Sequence, residues 1–599
     1  MRHDLPPIRP ARVAWIESTP LSVDYGDRYF SAGQAEAEAE AVFIAGCELD
    51  DRFTSLSAGE LFVIGEIGFG TGRKLLKAAE RFLELAPADA ELTLISAELH
   101  PLEASDLERA LSDAQLPAPL VDSLLTQYPS PVPGFHSIRL ATNIELILMY
   151  GDAQAVWARQ GARVDAWFLD GFAPSHTPAL WRPELFRLLA GRSRPGATLA
   201  SFSVAAKVRE ALSAAGFVVR REPGFGHKRH RLCGHWPGTW RPFRPRRGAA
   251  LIAGAGLAGA TCARALAERG WQVTVGDPAG IASGASGNRI AVVYTHPGGH
   301  GNRQNRLYQM SYLRSLAWLS RHRLEAHGSG RFDGLVQHLV TPRLKKRLQA
   351  ALDSGWWPRD ELVRLDESRV LLRRAGCIDP LAWCRRLLDH PRIELRPRAV
   401  ALEHNPHATI DGGSCDALIV CTASVPQTLA TLPLRRIPGQ VTEIHATAES
   451  ARFRRVQCHE GYLSPALHGL HVAGATYRRG GSEHEPLDED DRANLALLRR
   501  HLPRHWQALG GDRLTIAGHR VGVRVQTPDF LPVVGRIDGL DTGPVRWLNL
   551  AHGSRGVTNT PLVADLIADR LSNRPDRLER TLAELLDPGR FGRIEPESG

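Results

Sequence analysis

Short runs of apolar residues recur along the chain, and each stops at a glycine or an acid. LFVIGE (61–66), LTLISAE (92–98), LMYGD (148–152) and DAWFLD (165–170) form a first set, and ALIAG (250–254) and WQVTVGD (271–277) a second. Runs of this length without a polar face predict strands covered on both sides. Helically spaced stretches lie between them, such as RKLLKAAERFLELA (73–86) and ATCARALAERG (260–270). Strand-like and helix-like segments in alternation predict α/β layers. WPGTWRPFRPRRG (236–248) interrupts the pattern with three prolines, which neither continue a helix nor pair centrally in a sheet. It reads as a Pro/Arg-rich linker between a domain of residues 1–235 and another of residues 249–599. A chain of 599 residues is in any case too long for one ordinary core.

Composition narrows the class. The hydrophobic fraction, 43%, is that of a globular protein, and no apolar run is long enough to cross a bilayer. The segment MRHDLPPIRP lacks the apolar core of a signal peptide, so a cytoplasmic location is expected. Eight scattered cysteines with no CxxC pair argue against a zinc ribbon or a disulfide framework, and no metal is expected. A net charge of +9 favours polyanionic partners, nucleic acid first. Only six of the 74 basic residues are lysine, however, and such a bias also follows from codon composition.

The first strand run opens into EIGFGTG, with Gly68, Gly70 and Gly72 at alternate positions, where a backbone without side chains approaches a ligand closely. Four acids, Glu66, Glu98, Asp152 and Asp170, each follow or end an apolar run. Ligands of open α/β sheets bind at the carboxyl ends of the strands, so the four are expected around one crevice. E-x-G-x-G-x-G resembles the first motif of class I methyltransferases that use S-adenosylmethionine. That resemblance implies Glu66 near the methionine amino group, Glu98 on the ribose hydroxyls and Asp152 on the adenine amino group.

GAGLAG is a G-x-G-x-x-G loop (Gly254, Gly256, Gly259) between a strand and a helix, and the next strand ends in Asp277, the spacing of a dinucleotide site. SGASGNRIAVVY, with Ser286, Gly287, Asn288 and Arg289, resembles the loop that passes the flavin in FAD-dependent amine oxidases. GVRVQTPDFLPVVGRI and WLNLAHGSRGVTNTPLVADLIADRL resemble the closing strand and last helix of the D-amino-acid oxidase superfamily, which implies that Gly553, Ser554 and Gly556 lie by the flavin. The superfamily resemblance also implies a cation that holds a substrate carboxylate. Arg524 matches the superfamily's carboxylate-binding arginine, with Arg555 and Tyr477 as further candidates. In DALIVCTASVP the superfamily's usual glycine is replaced by Ala423, which is expected to crowd FAD.

Together with DYGDRYFSAGQAEAEAEAVFIAGCEL, PGFGHKRHRL, RIPGQVTEI, EGYLSP and AGATYRRG, these segments resemble both halves of the bifunctional tRNA 5-methylaminomethyl-2-thiouridine biosynthesis (MnmC) family. The likeness implies a class I, Rossmann-like S-adenosyl-L-methionine-dependent methyltransferase domain joined to an FAD-dependent oxidoreductase domain. The latter combines an α/β FAD-binding part with an α+β substrate part. It also implies tRNA as partner: FAD-dependent removal of a carboxymethyl group from the wobble uridine, then methylation of the exposed amine beside Asp170. Phe172 and Pro174 would shape that pocket. Tyr25 and Tyr29 would stand near the methyl donor or in the core, and Lys228 and Arg229 would meet phosphate or lie on a solvated hairpin. The alternative is a fusion of two small-molecule enzymes, a methyltransferase and a sarcosine- or glycine-type amine oxidase, not acting on RNA.

Overall fold

The computed structural model describes residues 5–31, 33–226, 229–400, 415–422, 432–478, 485–537 and 544–592. It divides into two units, Met1–Arg246 with Asn573–Arg580, and Arg247–Ser572 with Thr581–Gly599.

The first unit is built on β1 (Leu61–Glu66), α1 (Arg73–Leu85), β2 (Glu91–Glu98), β3 (Gly134–Ala141), β4 (Ile144–Tyr150), α2 (Ala153–Arg159), β5 (Val164–Phe168), β6 (Ser193–Ser201), β7 (Val218–Pro223) and β8 (His230–His235). The eight strands form one sheet in the order β7-β8-β6-β5-β1-β2-β4-β3. β1, β2, β4, β5 and β6 run parallel, and the outer strands turn back antiparallel. Every residue of β1 and β5 is buried, as their uninterrupted apolar runs require. Alternate residues of β1 enter different cores: Phe62 and Ile64 pack with Phe43, Leu75 and Phe82, whereas Leu61 and Val63 pack with Trp157, Trp167 and Leu185. The chain leaves β1 toward β2 on one side and β5 on the other, so the ends of these strands frame a crevice at the switch point.

The proline-rich stretch is not the free linker that its composition suggested. The Trp236 N–H donates to the Ala197 carbonyl at 2.7 Å, and the Leu61 N–H donates to Phe243 at 2.7 Å. The indole N–H of Trp240 donates to Asp165 Oδ1 at 2.9 Å. Asp165 is fully buried and also accepts from the Val63 N–H at 2.9 Å, with Arg194 3.4 Å away. These donors keep the segment on the first unit and move the boundary to Arg246/Arg247. Asn573–Arg580, far along the chain, also belongs to this unit: Arg574 pairs with Glu91, and Arg577 with Glu145.

In the second unit β9 (Ala249–Ala253), α3 (Leu257–Glu268), β10 (Gln272–Gly276), α4 (Arg303–Arg321), α5 (Pro342–Asp353), β11 (Ile393–Arg396), β12 (Ala417–Val420), β13 (Arg435–His445), β14 (Ile516–Gln526), β15 (Val533–Arg536), β16 (Val545–Leu550) and α6 (Gly556–Leu571) position the site. One sheet runs β11-β10-β9-β12-β16-β15, and β13 and β14 end a second sheet of eight strands. From Val557 to Asp569 every residue of α6 is buried. Its Asp565 is held by Arg269 at 2.9 Å, by Arg314 at 2.7 Å and by the Trp318 indole at 3.0 Å. Burial pushes the Asp565 carboxyl up, but Arg314 and Arg269 outweigh it and leave it below the usual range.

Replacing Trp240 by Ala removes a packed indole and one of the donors to a buried carboxylate. Urea denaturation is expected to show a loss of about 2–4 kcal/mol in the transition of the first unit.

Candidate active sites

The first site is a cavity of about 1290 Å³ at the ends of β1, β2 and β5. Gly68, Gly70, Glu98, Asp152, Asp170, Phe172, Pro174, Tyr25 and Tyr29 all line it, so most of the residues singled out in the sequence converge. Gly68 lets the loop pass close to the end of β5, because a Cβ there would stand 3.0 Å from the Asp170 carbonyl oxygen, and Gly68 and Gly70 line the cavity. Gly72 does not line the cavity; it has φ +72° before α1, and a Cβ there would meet the Phe69 ring at 2.6 Å. Glu98 braces the loop, since its oxygens accept from the Gly70 N–H at 2.9 Å and the His100 N–H at 2.8 Å. A carboxylate has about four acceptor positions, so it keeps capacity for ribose hydroxyls. Asp152 caps α2 by accepting from the Ala155 N–H at 3.0 Å. Phe172 stands between Tyr25 and Tyr29, with ring centroids 5.2 and 5.1 Å away. Asp27 fixes the turn after Asp170 by accepting from the Ala173 N–H at 3.1 Å.

Glu66 does not reach the cavity wall. It is fully buried, its Oε2 accepts from the Ser96 hydroxyl at 2.7 Å, and Lys74 Nζ lies 3.6 Å from its Oε1. Lys74 does line the cavity, and its ammonium is 2.6 Å from Asp170 Oδ2. Burial pulls that ammonium down, but Asp170 and Glu66 outweigh it and hold it above its ordinary value. Burial pushes the Glu66 carboxyl up to about 7. Sequence reasoning missed Lys74; the available signal was one of six lysines placed two residues after the glycine loop. Lys228 lies outside the described residues, and Arg229 is exposed and not part of the cavity wall.

The second site is a cavity of about 390 Å³ lined by Ser286, Asn288, Tyr477, Arg524, Gly553, Ser554 and Gly556, among others. Beneath it the dinucleotide loop is tightly built. A Cβ on Gly259 would fall 1.8 Å from the Gly254 carbonyl oxygen, and one on Gly254 2.9 Å from that of Cys421. Ser286 Oγ accepts from the Leu257 N–H at 3.1 Å, and a Cβ on Gly256 would press on it at 2.9 Å. Asp277 accepts from the Ala255 N–H at 2.8 Å and the Ala279 N–H at 3.0 Å. A Cβ on Gly287 would fill the space of the Ala282 carbonyl and of Arg520, whose guanidinium donates to Asn288 Oδ1 at 3.2 Å. This side-chain-free cradle, with an acid at the end of β10, fits FAD. The N-terminus of α6 meets the cavity at Gly556 and Val557. Ala423, where crowding was expected, lies outside the described residues.

Arg524, on β14, stacks its guanidinium 4.6 Å over the exposed Tyr477 ring and donates to the Thr476 carbonyl at 3.3 Å. Arg555 is turned elsewhere, over the Tyr308 ring at 4.3 Å, and lines two adjoining cavities. Arg289 is exposed, 3.7 Å from Glu443, and does not line the cavity. His552 Nε2 donates to Asn549 Oδ1 at 2.8 Å, and burial pulls the ring's pKa down to about 4. Among the described residues no group of His, Cys, Asp or Glu is arranged to hold a metal ion, and no helix is long and apolar enough to cross a membrane.

A glycine-loop cleft with its acids in the first unit and a dinucleotide cradle with a cationic cavity in the second define a methyltransferase joined to an oxidoreductase. The matches agree. Residues 117–237 match the S-adenosyl-L-methionine-dependent methyltransferase family, and residues 249–570 the FAD dependent oxidoreductase family. The chain is 37% identical to the tRNA 5-methylaminomethyl-2-thiouridine biosynthesis bifunctional protein MnmC of Pseudomonas aeruginosa (strain UCBPP-PA14), over 97% of both chains. It is 36% identical to the protein so named from Ectopseudomonas mendocina (strain ymp), again over 97% of each. It belongs to this MnmC family. Among solved structures, glycine oxidase from Geobacillus kaustophilus is similar with a TM-score of 0.45 and 17% identity, covering 59% of this chain and 100% of the other.

The buried Glu66 carries a pH signature. Its value of about 7 lies above the ordinary 4.5, so the fold favours the neutral carboxyl. That stabilisation is complete below pH 4.5 and is lost as pH rises through 7, up to about 3 kcal/mol. Thermal melts of Glu66→Gln are expected to lack the decline that the parent protein shows between pH 5 and 8.

Proposed function

We propose that the chain modifies the wobble uridine of tRNA twice at one nitrogen. The oxidoreductase unit removes the carboxymethyl group of 5-carboxymethylaminomethyl-(2-thio)uridine as glyoxylate, leaving 5-aminomethyl-(2-thio)uridine. The methyltransferase unit then converts the primary amine to 5-methylaminomethyl-(2-thio)uridine. The observation that carries this reading is the presence of both clefts in a chain that aligns over 97% of its length with relatives named for that bifunction. A tRNA substrate and eight free cysteines fit the cytoplasm.

FAD, held by the loop after β9, by Asp277 and by the Ser286–Asn288 segment, supplies the two-electron oxidant when bound. Arg524 clamps the substrate carboxylate, and its stacking on Tyr477 fixes the fork of its guanidinium in place. The positive end of α6 favours negative charge in the same cavity. His552, pulled down to about 4 by burial, is neutral at physiological pH and adds no competing charge to the wall.

In the methyltransferase cleft the nitrogen lone pair attacks the methyl carbon, the carbon–sulfur bond breaks, and the product ammonium loses a proton. An alkylamine with a pKa near ~10 is mostly charged at neutral pH. A bare carboxylate would bind that ammonium and stabilise the unreactive form. Lys74 resolves the conflict: an ammonium 2.6 Å from Asp170 in a buried setting cancels much of the carboxylate's field and repels a second cation. The amine therefore enters as free base while Asp170 still accepts a hydrogen bond from it. Asp170 orients the nucleophile and takes its proton; Lys74 is a positioning residue that sets the charge Asp170 presents.

Mass analysis of tRNA nucleosides is expected to show the aminomethyl product accumulating without S-adenosylmethionine and the methylaminomethyl product with it. Oxidation of free N-methylglycine with untouched tRNA would sink the reading. Asp170→Asn is expected to lower methylation at least 100-fold and spare glyoxylate release, whereas Arg524→Ala reverses that pattern. For Lys74→Met, the acidic limb of the methylation pH–rate profile should move up by about one unit or more, and Lys74→Arg should restore it. A lower rate with an unmoved limb would show that Lys74 only supports packing.

A further inference from the structure

Beside the flavin cleft lies a separate chamber of about 480 Å³, whose wall carries Arg343, Lys346, Arg347 and Arg555 and no Asp or Glu. Arg343, Lys346 and Arg347 stand at i, i+3 and i+4 on α5, so one face of that helix directs three cations the same way. Among the described residues none of the four has a carboxylate within 4 Å. The Nε atoms of Arg347 and Arg555 are buried without a hydrogen-bond partner. Burial and the nearby Arg343 and Arg555 pull the Arg347 guanidinium down. His296, on the same wall, is pulled to about 3 by burial and by Arg555 and Arg347. Clustered, partly buried cations without counter-charge are costly, and an anion supplied from outside removes that cost.

We propose that this chamber binds a backbone phosphate of the RNA strand next to the uridine being deglycinated. The proposal rests on the RNA reading above. Three observations select phosphodiester over other anions. The chamber shares His296 and Arg347 with the wall of the flavin cleft, so its ligand is a near neighbour of the group entering that cleft. In the reading above the substrate's own carboxylate is held by Arg524, which lines that cleft from β14, and Arg524 is not part of the chamber's wall. Tyr308 and the exposed ring of Phe530 complete the wall, which is the mixture of cations and aromatic faces that single-stranded nucleic acid uses. Within the chamber Arg343 and Lys346 are exposed and reach a strand arriving from solvent, whereas Arg347 lies deeper.

The test uses the FAD-loaded full chain with Arg343→Ala and Lys346→Ala combined, neither residue belonging to the catalytic cavity. Fluorescence anisotropy with tRNA carrying the carboxymethylaminomethyl group is read over a range of salt. Turnover of the free nucleoside bearing the same group, which has no phosphate, is the second readout. Affinity for tRNA is expected to fall roughly tenfold or more, and the slope of log K against log[salt] to become shallower by about 0.7, one single-strand phosphate contact. Nucleoside turnover and flavin spectrum are expected to stay within twofold of the parent. Unchanged tRNA affinity and salt slope would overturn the proposal. So would an equal loss on the nucleoside, which would assign the chamber to the carboxylate or to folding. A parent protein that oxidises the nucleoside and binds no tRNA would instead refute the RNA reading itself.

Discussion

In each unit a carboxylate from the end of one parallel strand accepts a hydrogen bond from a backbone N–H inside the glycine loop of the neighbouring strand. Glu98 holds the Gly70 N–H at 2.9 Å, and Asp277 holds the Ala255 N–H at 2.8 Å. The loops need this support because they carry almost no side chains that would pack them in place. Side chains are excluded by the closeness of the backbone, as the 1.8 Å approach at Gly259 illustrates. Parallel pairing of β1 with β2 and of β9 with β10 brings each acid level with its loop. One interaction thus orders the loop, satisfies a peptide donor at the strand end, and leaves acceptor capacity facing the ligand.

The two clefts meet opposite electrostatic demands. Methylation needs an uncharged amine beside a carboxylate, and the fold supplies an internal cation, Lys74, that Asp170 and Glu66 hold charged despite its burial. Deglycination needs a carboxylated substrate held in place, and the fold supplies guanidinium groups whose counter-charge arrives with the substrate. Arg524 is stabilised by stacking and a carbonyl rather than by an acid, and Arg347 and Arg555 keep buried nitrogens without acceptors. An excess of positive charge that was ambiguous in the composition therefore acquires a location and a use.

The architecture was legible because it follows from local rules. Uninterrupted apolar runs mark strands covered on both faces, and a glycine loop between strand and helix marks a ligand site at the carboxyl end of a parallel sheet. Glu98, Asp152 and Asp170, which line the first cavity, were found in this way, whereas Ser286 and Arg524 in the second came from the resemblance to flavin-dependent amine oxidases. Composition misled at residues 236–248, where prolines and arginines suggested a solvated linker. There the Trp240 indole serves a buried Asp165 that no local pattern reveals. Glu66 was placed at the ligand from its position before the loop, but the β-strand alternation turns it into the interior toward Ser96 and Lys74.

By itself, then, the sequence determined the two layered units and the nucleotide clefts, since periodicity and glycine spacing are properties of neighbouring residues, whereas the pairing of methyl-transfer with flavin chemistry came from the resemblance of its motifs to a known family. Only the tertiary structure decided which charges meet. Lys74 with Asp170, Arg524 with Tyr477 and Arg347 with Arg555 are brought together by packing across elements that are distant or featureless in the chain. Burial, which sets the strength of each of those encounters, does not exist until the fold closes around them.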